Sequence, residues 1–420
     1  MSRHPSKEII GKKGEELKGK TIALCITGSV AAVRCVEIAR ELMRHGAEVY
    51  AVMSQMAQKI IHPYLMEWAT GNPVITELTG KIEHVALAGK HSWKVDLVLV
   101  APATANTIGK IAHGIDDTPP TSVVSTALGS NTPIIVVPAM HESMYQHQII
   151  KENIEKLKKI GIEFIGPRIE EQTAKIADTS EIIDAVISKL MIQDFSGLRV
   201  LVTAGPTVEY LDPIRIISNR SSGKMGVAVA REAMWRGADV TLIYGLGTAS
   251  PPRGVRLVNV ETTEEMYKAV VSELKAKKYD VVVSAAAAAD FSPSKPYKKK
   301  VSTRKVSKLV LELEATKKIV DEVKVVSPKS FLVAFKAEYK LKNEELIKRA
   351  YQRLLECNAD LIVANDVGRK GTMFGADTNE VFIIDRKKNI IHVPLMSKQM
   401  VARKILDVVS EKLKLGRKRD

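Results

Sequence analysis

Cysteine is scarce: Cys25, Cys35 and Cys357 are the only three in 420 residues. That excludes a disulfide framework, and no Cys-x-x-Cys pair is present to hold a metal, so a reducing cytoplasm is expected. Aromatic residues make up 5% of the chain, too few for a base-stacking platform. No run of about 18 apolar residues exists to span a bilayer, and no membrane partner is expected. The opening stretch, MSRHPSKEIIGKKGEELKGK, is charged throughout and lacks the apolar core of a secretory signal. The Gly-x-Gly-x-x-Gly fingerprint is also missing, which counts against an ordinary nicotinamide-dinucleotide domain.

What remains is the composition of a folded protein in water, 45% hydrophobic and 26% charged. A chain of 420 residues exceeds one ordinary core, and two domains of about 200 residues are expected. The formal charge of +15 is spread along the chain. Only SKPYKKKVSTRKVSK and the terminal KLKLGRKRD are dense in basic residues. With so few aromatics, this charge suits anionic small molecules or a lysine-rich, heat-tolerant surface rather than nucleic acid.

The first half alternates apolar strands with helical patterns. TIALCITG reads as a strand, SVAAVRCVEIARELMRHG as a helix closed by Gly46, and AEVYAVMS as the next strand. KVDLVLVAPATANT and TPIIVVPAM repeat the arrangement, a buried strand running into a polar loop. Near residue 190 the pattern is interrupted by MIQDFSG and restarts with LRVLVTAG, ADVTLIYG, YDVVVSAAAAAD and ADLIVAND. EVFIID and IIHVPLM read as a terminal antiparallel pair. The expected fold is therefore α/β: two doubly wound, mostly parallel-sheet Rossmann-like domains, residues 1–190 and 191–420. Ligands in such sheets bind beyond the carboxyl ends of the strands, which singles out the polar loops.

In the first half, Gly28 and Ser29 stand between strand and helix, where free N–H groups can take a phosphate. Thr104, Asn106 and Thr107 follow a buried strand in a matching loop, as helix caps or as ligand donors. Met140 and Met144 are spaced for one helix face and read as packing by default; His84 by itself is a surface or core histidine. Together, TGSVAA, APATANT and PAMHESMY resemble the flavin-dependent phosphopantothenoylcysteine decarboxylases over residues 20 to 180. The resemblance implies bound FMN near Gly28, Ser29, Ser54, Thr104, Asn106 and Thr107, with Met140, His141 and Met144 on the substrate side. It implies that His84 matches the family's essential histidine. The chemistry has a physical logic, because CO2 loss from a cysteine end leaves a carbanion with no place for its charge. Oxidation to a thioaldehyde supplies that place, and return of the hydride closes the cycle without an external oxidant. Two departures stand out. His141 replaces an asparagine that helps bind the substrate carboxylate, and a histidine can also donate a hydrogen bond. Lys175 falls where bacterial relatives carry a proton-donating cysteine, so either Lys175 or water protonates the enethiolate.

In the second half, RIISNRSSGKMG gathers Arg215, Asn219, Arg220, Ser221, Ser222 and Gly223 at a helix start, a setting that favours anions. The SAAAAAD stretch reads as a strand of tiny residues ending in Asp290, where a flat ligand can approach the backbone. Together with the lysine loop, AFKAE, ADLIVANDV and FGADTNEV, these segments resemble phosphopantothenate–cysteine ligases over residues 191 to 415. The resemblance implies amide formation through an acyl-nucleotide, with CTP (ATP in eukaryotic relatives) losing pyrophosphate and Mg2+ shielding the triphosphate. It assigns Asn219 to the acyl-nucleotide, with Arg215 in support, and Lys300 to activation. Ala286, Asp290 and Phe335 fall at nucleotide-contacting positions, and Arg353 and Cys357 replace a bacterial lysine pair. Ser221, Ser222 and Gly223 complete the anion cradle. In sequence order, the two resemblances imply a bifunctional enzyme of coenzyme A biosynthesis acting on 4'-phosphopantothenate, cysteine and CTP. They also imply a homo-oligomer, with a dodecamer as the candidate assembly. The rivals are a nicotinamide-dependent reductase and, for the first half, a flavin-binding regulatory protein.

Overall fold

The computed structural model describes residues 4–170, 173–302 and 308–417. Parts of the basic stretches, at 303–307 and 418–420, and of the EEQTAKIAD segment, at 171–172, lie outside the described residues. The chain divides into two compact units, residues 1–191 and 192–420.

The first unit is built on five parallel strands, ordered Glu48–Met53, Thr21–Ile26, Leu97–Ala103, Ile134–Pro138 and Glu163–Phe164. All seven residues of Leu97–Ala103 are buried, as are Ile22 to Ile26. Burial on both faces explains why these strands read as continuous apolar runs instead of alternating ones. The helix expected over residues 29–46 is split. Val30–Arg34 forms a 3-10 turn capped by Ser29, and the α-helix runs Cys35–Arg44. Ser29 starts the tighter turn, Val30 and Val33 remain exposed, and the apolar stripe that packs on the sheet begins at Cys35. Gly46 ends the segment in a left-handed conformation, φ +104°.

The second unit contains an eight-stranded sheet. From one edge the order is Arg256–Asn259, Asp239–Tyr244, Arg199–Ala204, Val281–Ser284, Phe331–Glu338 and Leu361–Asp366, all parallel. Thr378–Asp385 and Ile390–Ser397 then add the expected antiparallel pair. Alternate residues feed two cores. Val200, Val202, Val281 and Val283 pack on one face with Ala230, Ala233 and Ile405. Leu201, Ile243, Val282 and Leu332 pack on the other with Met266, Val270 and Leu354. Each fully buried aliphatic side chain contributes roughly 1.5–3 kcal/mol, so the doubly covered sheet is the main source of stability.

One strand is shorter than the sequence suggests. The ladder stops at Ser284, and Ala285–Asp290 run on as an extended loop. Its N–H groups go instead to the Thr203 and Gly205 carbonyls and to the Thr207 hydroxyl. The loop is therefore anchored to the neighbouring strand end, with its small side chains left open to a cavity.

The turn at Gly223 has a strict backbone requirement. Its φ is +78°, and a Cβ there would lie 2.8 Å from the Tyr244 ring. Gly223→Ala is expected to destabilise this unit by about 1–3 kcal/mol, through left-handed strain and overpacking together. A lower thermal midpoint in calorimetry checks this.

Candidate active sites

In each unit the strand order reverses beside the first strand, and a cleft opens beyond the carboxyl ends at that point. This is where doubly wound sheets bind their ligands, because diverging loops leave a crevice there.

The cleft of the first unit, about 550 Å3, lies past the strands Thr21–Ile26 and Leu97–Ala103. Gly28, Ser29, Ser54, Thr104, Asn106, Thr107, Met140 and Met144 all line it. Thr27 ties the two strand ends together. Its hydroxyl donates to the Pro102 carbonyl (2.7 Å) and accepts from the Thr104 N–H (3.1 Å). The surrounding hydroxyls serve as helix caps: Ser29 accepts from Ala31 N–H, Ser54 from Ala57 N–H and Thr104 from Thr107 N–H. Capping uses a lone pair and leaves the O–H protons of Ser29 and Ser54 to donate, while the Thr104 and Thr107 hydroxyls share a 3.0 Å hydrogen bond that leaves one proton between them. A cleft ringed by such donors, with methionines on one wall and no acidic residue in its lining, fits a flat anionic cofactor such as a flavin phosphate. Met56, Lys59 and Lys110 also line the cleft and were not singled out from sequence, although Lys110 follows Asn106 by one helical turn.

Three expected residues stand outside this lining. His84 lies on the helix Glu83–Ala88, half-buried, with its Nδ1 buried and without a hydrogen-bond partner among the described residues. His141 is exposed and bonds the Ser143 hydroxyl at 2.8 Å. It alternates with Met140 on a short strand, which sends neighbouring side chains to opposite faces. Lys175 sits opposite Arg168 in a three-stranded antiparallel sheet and is not part of the cleft lining, although its neighbour Ala174 pairs with Met140, which is.

The cavity of the second unit, about 610 Å3, is lined by Asn219, Ser221, Ser222, Ala286, Asp290, Phe335 and Arg353. The Asn219 amide donates to the Ala287 and Ala288 carbonyls, both at 3.0 Å, bridging the RIISNRSSG turn to the alanine loop. Its side-chain oxygen has no partner among the described residues. Asp290 pairs with Lys318, and Arg353 with Asp321 at 2.5 Å. Cys357 is buried, with its thiol pushed up by burial, and does not line the cavity. Gly223 precedes the helix Lys224–Trp235 and shapes the rim without lining it.

Arg215 and Lys300 also stand outside the lining of this cavity. Arg215 is held on the preceding hairpin, donating to Asp212 at 2.6 Å and to the Val301 carbonyl at 3.1 Å. Lys300 is exposed on the loop that this contact anchors. The cations that do line the cavity are Lys224, Lys317, Lys318, Lys336 and Lys398 besides Arg353. The lysines come from four separate segments: Lys224 lies in the RIISNRSSGKMG run and Lys336 in AFKAE, while Lys317, Lys318 and Lys398 lie in no motif quoted above. Among the described residues, no cluster of His, Cys, Asp or Glu is arranged to hold a metal ion.

Asp212 organises the hairpin. Burial alone would raise its carboxyl, but the N–H groups of Ile214, Arg215 and Val301 and the Arg215 guanidinium hold it down at about 2. A carboxylate depressed in the fold stabilises it above the unfolded value near 4, and that contribution is lost as pH falls towards about 2. Amide exchange at Ile214, Arg215 and Val301 should therefore stay slow at neutral pH and accelerate selectively below about pH 3. In Asp212→Asn the same amides should already exchange faster at neutral pH.

Comparison with known proteins matches this division of the chain. The family model described as "Flavoprotein" matches residues 10–191, and that of the "DNA/pantothenate metabolism flavoprotein C-terminal domain" matches residues 195–413. The "Coenzyme A biosynthesis bifunctional protein CoaBC" of Thermococcus kodakarensis is 55% identical over 413 residues, covering 98% of this chain and 100% of the relative. That of Methanocaldococcus jannaschii is 39% identical over 415 residues, covering 98% of each chain. A solved C-terminal domain of a CoaBC protein is 35% identical, with a TM-score of 0.44, covering 53% of this chain and 98% of that one. Neither the reductase nor the regulatory reading is favoured by these matches. No helix among the described residues is long and apolar enough to cross a membrane. Matched from end to end by such relatives, and by a flavoprotein and a pantothenate-metabolism model in that order, the chain belongs to the CoaBC family of bifunctional coenzyme A biosynthesis enzymes.

Proposed function

We propose that the second unit joins 4'-phosphopantothenate to cysteine at the expense of CTP, and that the first unit decarboxylates the product with FMN to 4'-phosphopantetheine. The observation that carries this reading is the pair of separate clefts, one ringed by capped hydroxyls and the other by cations. In the second unit, the pantothenate carboxylate oxygen attacks the α-phosphorus, and the bond to the β-phosphate breaks as pyrophosphate leaves. The cysteine amine then attacks the acyl carbon and the nucleoside monophosphate departs. Asn219, held by the alanine loop, fixes the acyl group beside the nucleotide that the loop contacts, and the lysines offset charge on the phosphates. Mg2+ enters with the triphosphate.

In the first unit, Gly28, Ser29, Ser54, Thr104, Asn106 and Thr107 would hold FMN. FMN supplies hydride acceptance from the cysteine-derived carbon and its later return. Met140 and Met144 present an apolar wall that excludes water from the reacting end. By resemblance, His84 serves the decarboxylation, Lys300 the activation and Arg215 the support of Asn219, and either Lys175 or water supplies the proton. Each would act from beyond the cleft linings. The same resemblance supports a cytoplasmic homo-oligomer, with a dodecamer as the candidate.

The test separates the halves. Supplied with phosphopantothenoylcysteine alone, the yellow protein should release CO2 with no nucleotide present. Supplied with phosphopantothenate, cysteine and Mg2+, it should form the amide with CTP faster than with ATP. Failure of CO2 release with flavin bound would overturn the decarboxylase assignment, and a preference for ATP would overturn the choice of nucleotide.

A further inference from the structure

Six cations line the cavity of the second unit, and five of them have a carboxylate partner. Lys224 has Asp377 at 2.6 Å, Lys317 has Glu264 at 3.8 Å, and Lys318 has Asp290. Lys336 has Glu338 at 3.3 Å and Arg353 has Asp321 at 2.5 Å. Lys398 has none of its own among the described residues; its ammonium donates to the Ala376 carbonyl. Lys224 donates to the adjacent Gly375 carbonyl at 2.8 Å, which places the two lysines side by side with one carboxylate between them. Lys398 is half-buried, and burial together with the field of Lys224 pushes its proton affinity down.

This unfavourable arrangement is held from behind. Glu232 is fully buried on the helix Lys224–Trp235, where it accepts from Arg403 at 3.0 Å and Gln399 at 2.9 Å. Both belong to the helix Lys398–Arg417, so the bridge locks together the two helices that Lys224 and Lys398 begin. A buried bridge that fixes two like charges at a cavity wall leaves about one positive charge uncompensated there. A multiply charged anion is what would balance it.

We infer that Lys398, with Lys224, is the seat of the departing pyrophosphate in the nucleotide-activation step. The inference rests on the ligase reading above and adds to it the residues that receive the leaving group. When the carboxylate oxygen bonds to the α-phosphorus, the electron pair of the breaking bond passes to the pyrophosphate oxygen. A pair of ammoniums balances that growing charge where a single one would not. Asn219 engages the acyl end and the alanine loop the nucleoside, which leaves the lysine pair for the group that leaves. Each ammonium has three donors and can keep its loop carbonyl while binding phosphate oxygens. Glu232, Gln399 and Arg403 are positioning residues.

The experiment uses the full-length enzyme with inorganic pyrophosphate as product inhibitor. Lys398→Gln should raise the nucleotide KM and the pyrophosphate inhibition constant, each by roughly tenfold or more, as expected for loss of a charge-assisted contact. Lys398→Arg should restore most of both, and the phosphopantothenate KM should stay unchanged. Glu232→Gln should shift pyrophosphate inhibition in the same direction. In the unaltered protein, pyrophosphate should protect Lys398 from an amine-acylating reagent mapped by mass spectrometry, and phosphopantothenate alone should not. Unchanged pyrophosphate inhibition, a rise confined to the phosphopantothenate KM, or absence of protection would overturn the inference. A wild-type enzyme that cleaves no nucleotide would instead overturn the ligase reading beneath it.

Discussion

Asn219→Asp should cut amide formation by roughly a hundredfold or more while CO2 release from phosphopantothenoylcysteine continues at the wild-type rate. The amide nitrogen of Asn219 donates to two backbone carbonyls at once, at 3.0 Å each. A carboxylate of the same shape puts an anionic oxygen against both carbonyl oxygens and loses both bonds. Leaving such groups unpaired costs about 1–3 kcal/mol, and the side chain would swing away from the alanine loop. The turn would then no longer present the acyl group to the nucleotide. Separate assays, amide product by mass and CO2 by trapping, check the two halves of the claim. An amide yield within tenfold of wild type would remove Asn219 from the chemistry.

The opposite pattern is expected from Gly28→Val. A Cβ at Gly28 would lie 2.3 Å from the Cγ of Met56, and valine adds two methyl groups beyond it. Met56 is 54% exposed on the same cleft, so the valine must displace it and reshape the wall where FMN is proposed to sit. The variant should purify colourless and lose about 99% or more of its CO2 release, since misplacement by about 1 Å already costs a hundredfold. Amide formation should persist, because the Asn219 cavity lies wholly within the second unit. A yellow, active Gly28→Val protein would show that the cofactor does not approach this loop.

The parts of this structure that local sequence determines were legible in advance. Leu97–Ala103 and Val281–Ser284 are apolar because parallel strands are covered on both faces, and that pattern survives without any tertiary knowledge. Thr104 reads as a cap next to a strand end, Ser29 as part of a turn that can take a phosphate, and the resemblance adds Ser54; all three cap helices and line the first cleft. Other features depend on contacts between distant segments. The alanine run looks like strand by composition, yet Thr203, Gly205 and Thr207 draw its N–H groups out of the ladder. Arg215 looks like a ligand donor in a motif of donors, but Asp212 and the Val301 carbonyl claim its guanidinium. Lys398 carried no signal at all, because its meaning comes from Lys224, far away in sequence and brought near by the buried Glu232 bridge. Motifs marked where the clefts would be; charge balance inside them required the folded chain.

The account's central claim is that one polypeptide carries two independent catalytic clefts acting in succession. The most direct measurement is a single incubation of the flavin-loaded protein with 4'-phosphopantothenate, cysteine, Mg2+ and CTP, with all products identified by mass. The account predicts 4'-phosphopantetheine, CO2, cytidine monophosphate and pyrophosphate in equal amounts, with phosphopantothenoylcysteine as a transient. Unconsumed phosphopantothenate, or amide that accumulates without ever losing CO2 in protein that holds its flavin, would contradict it.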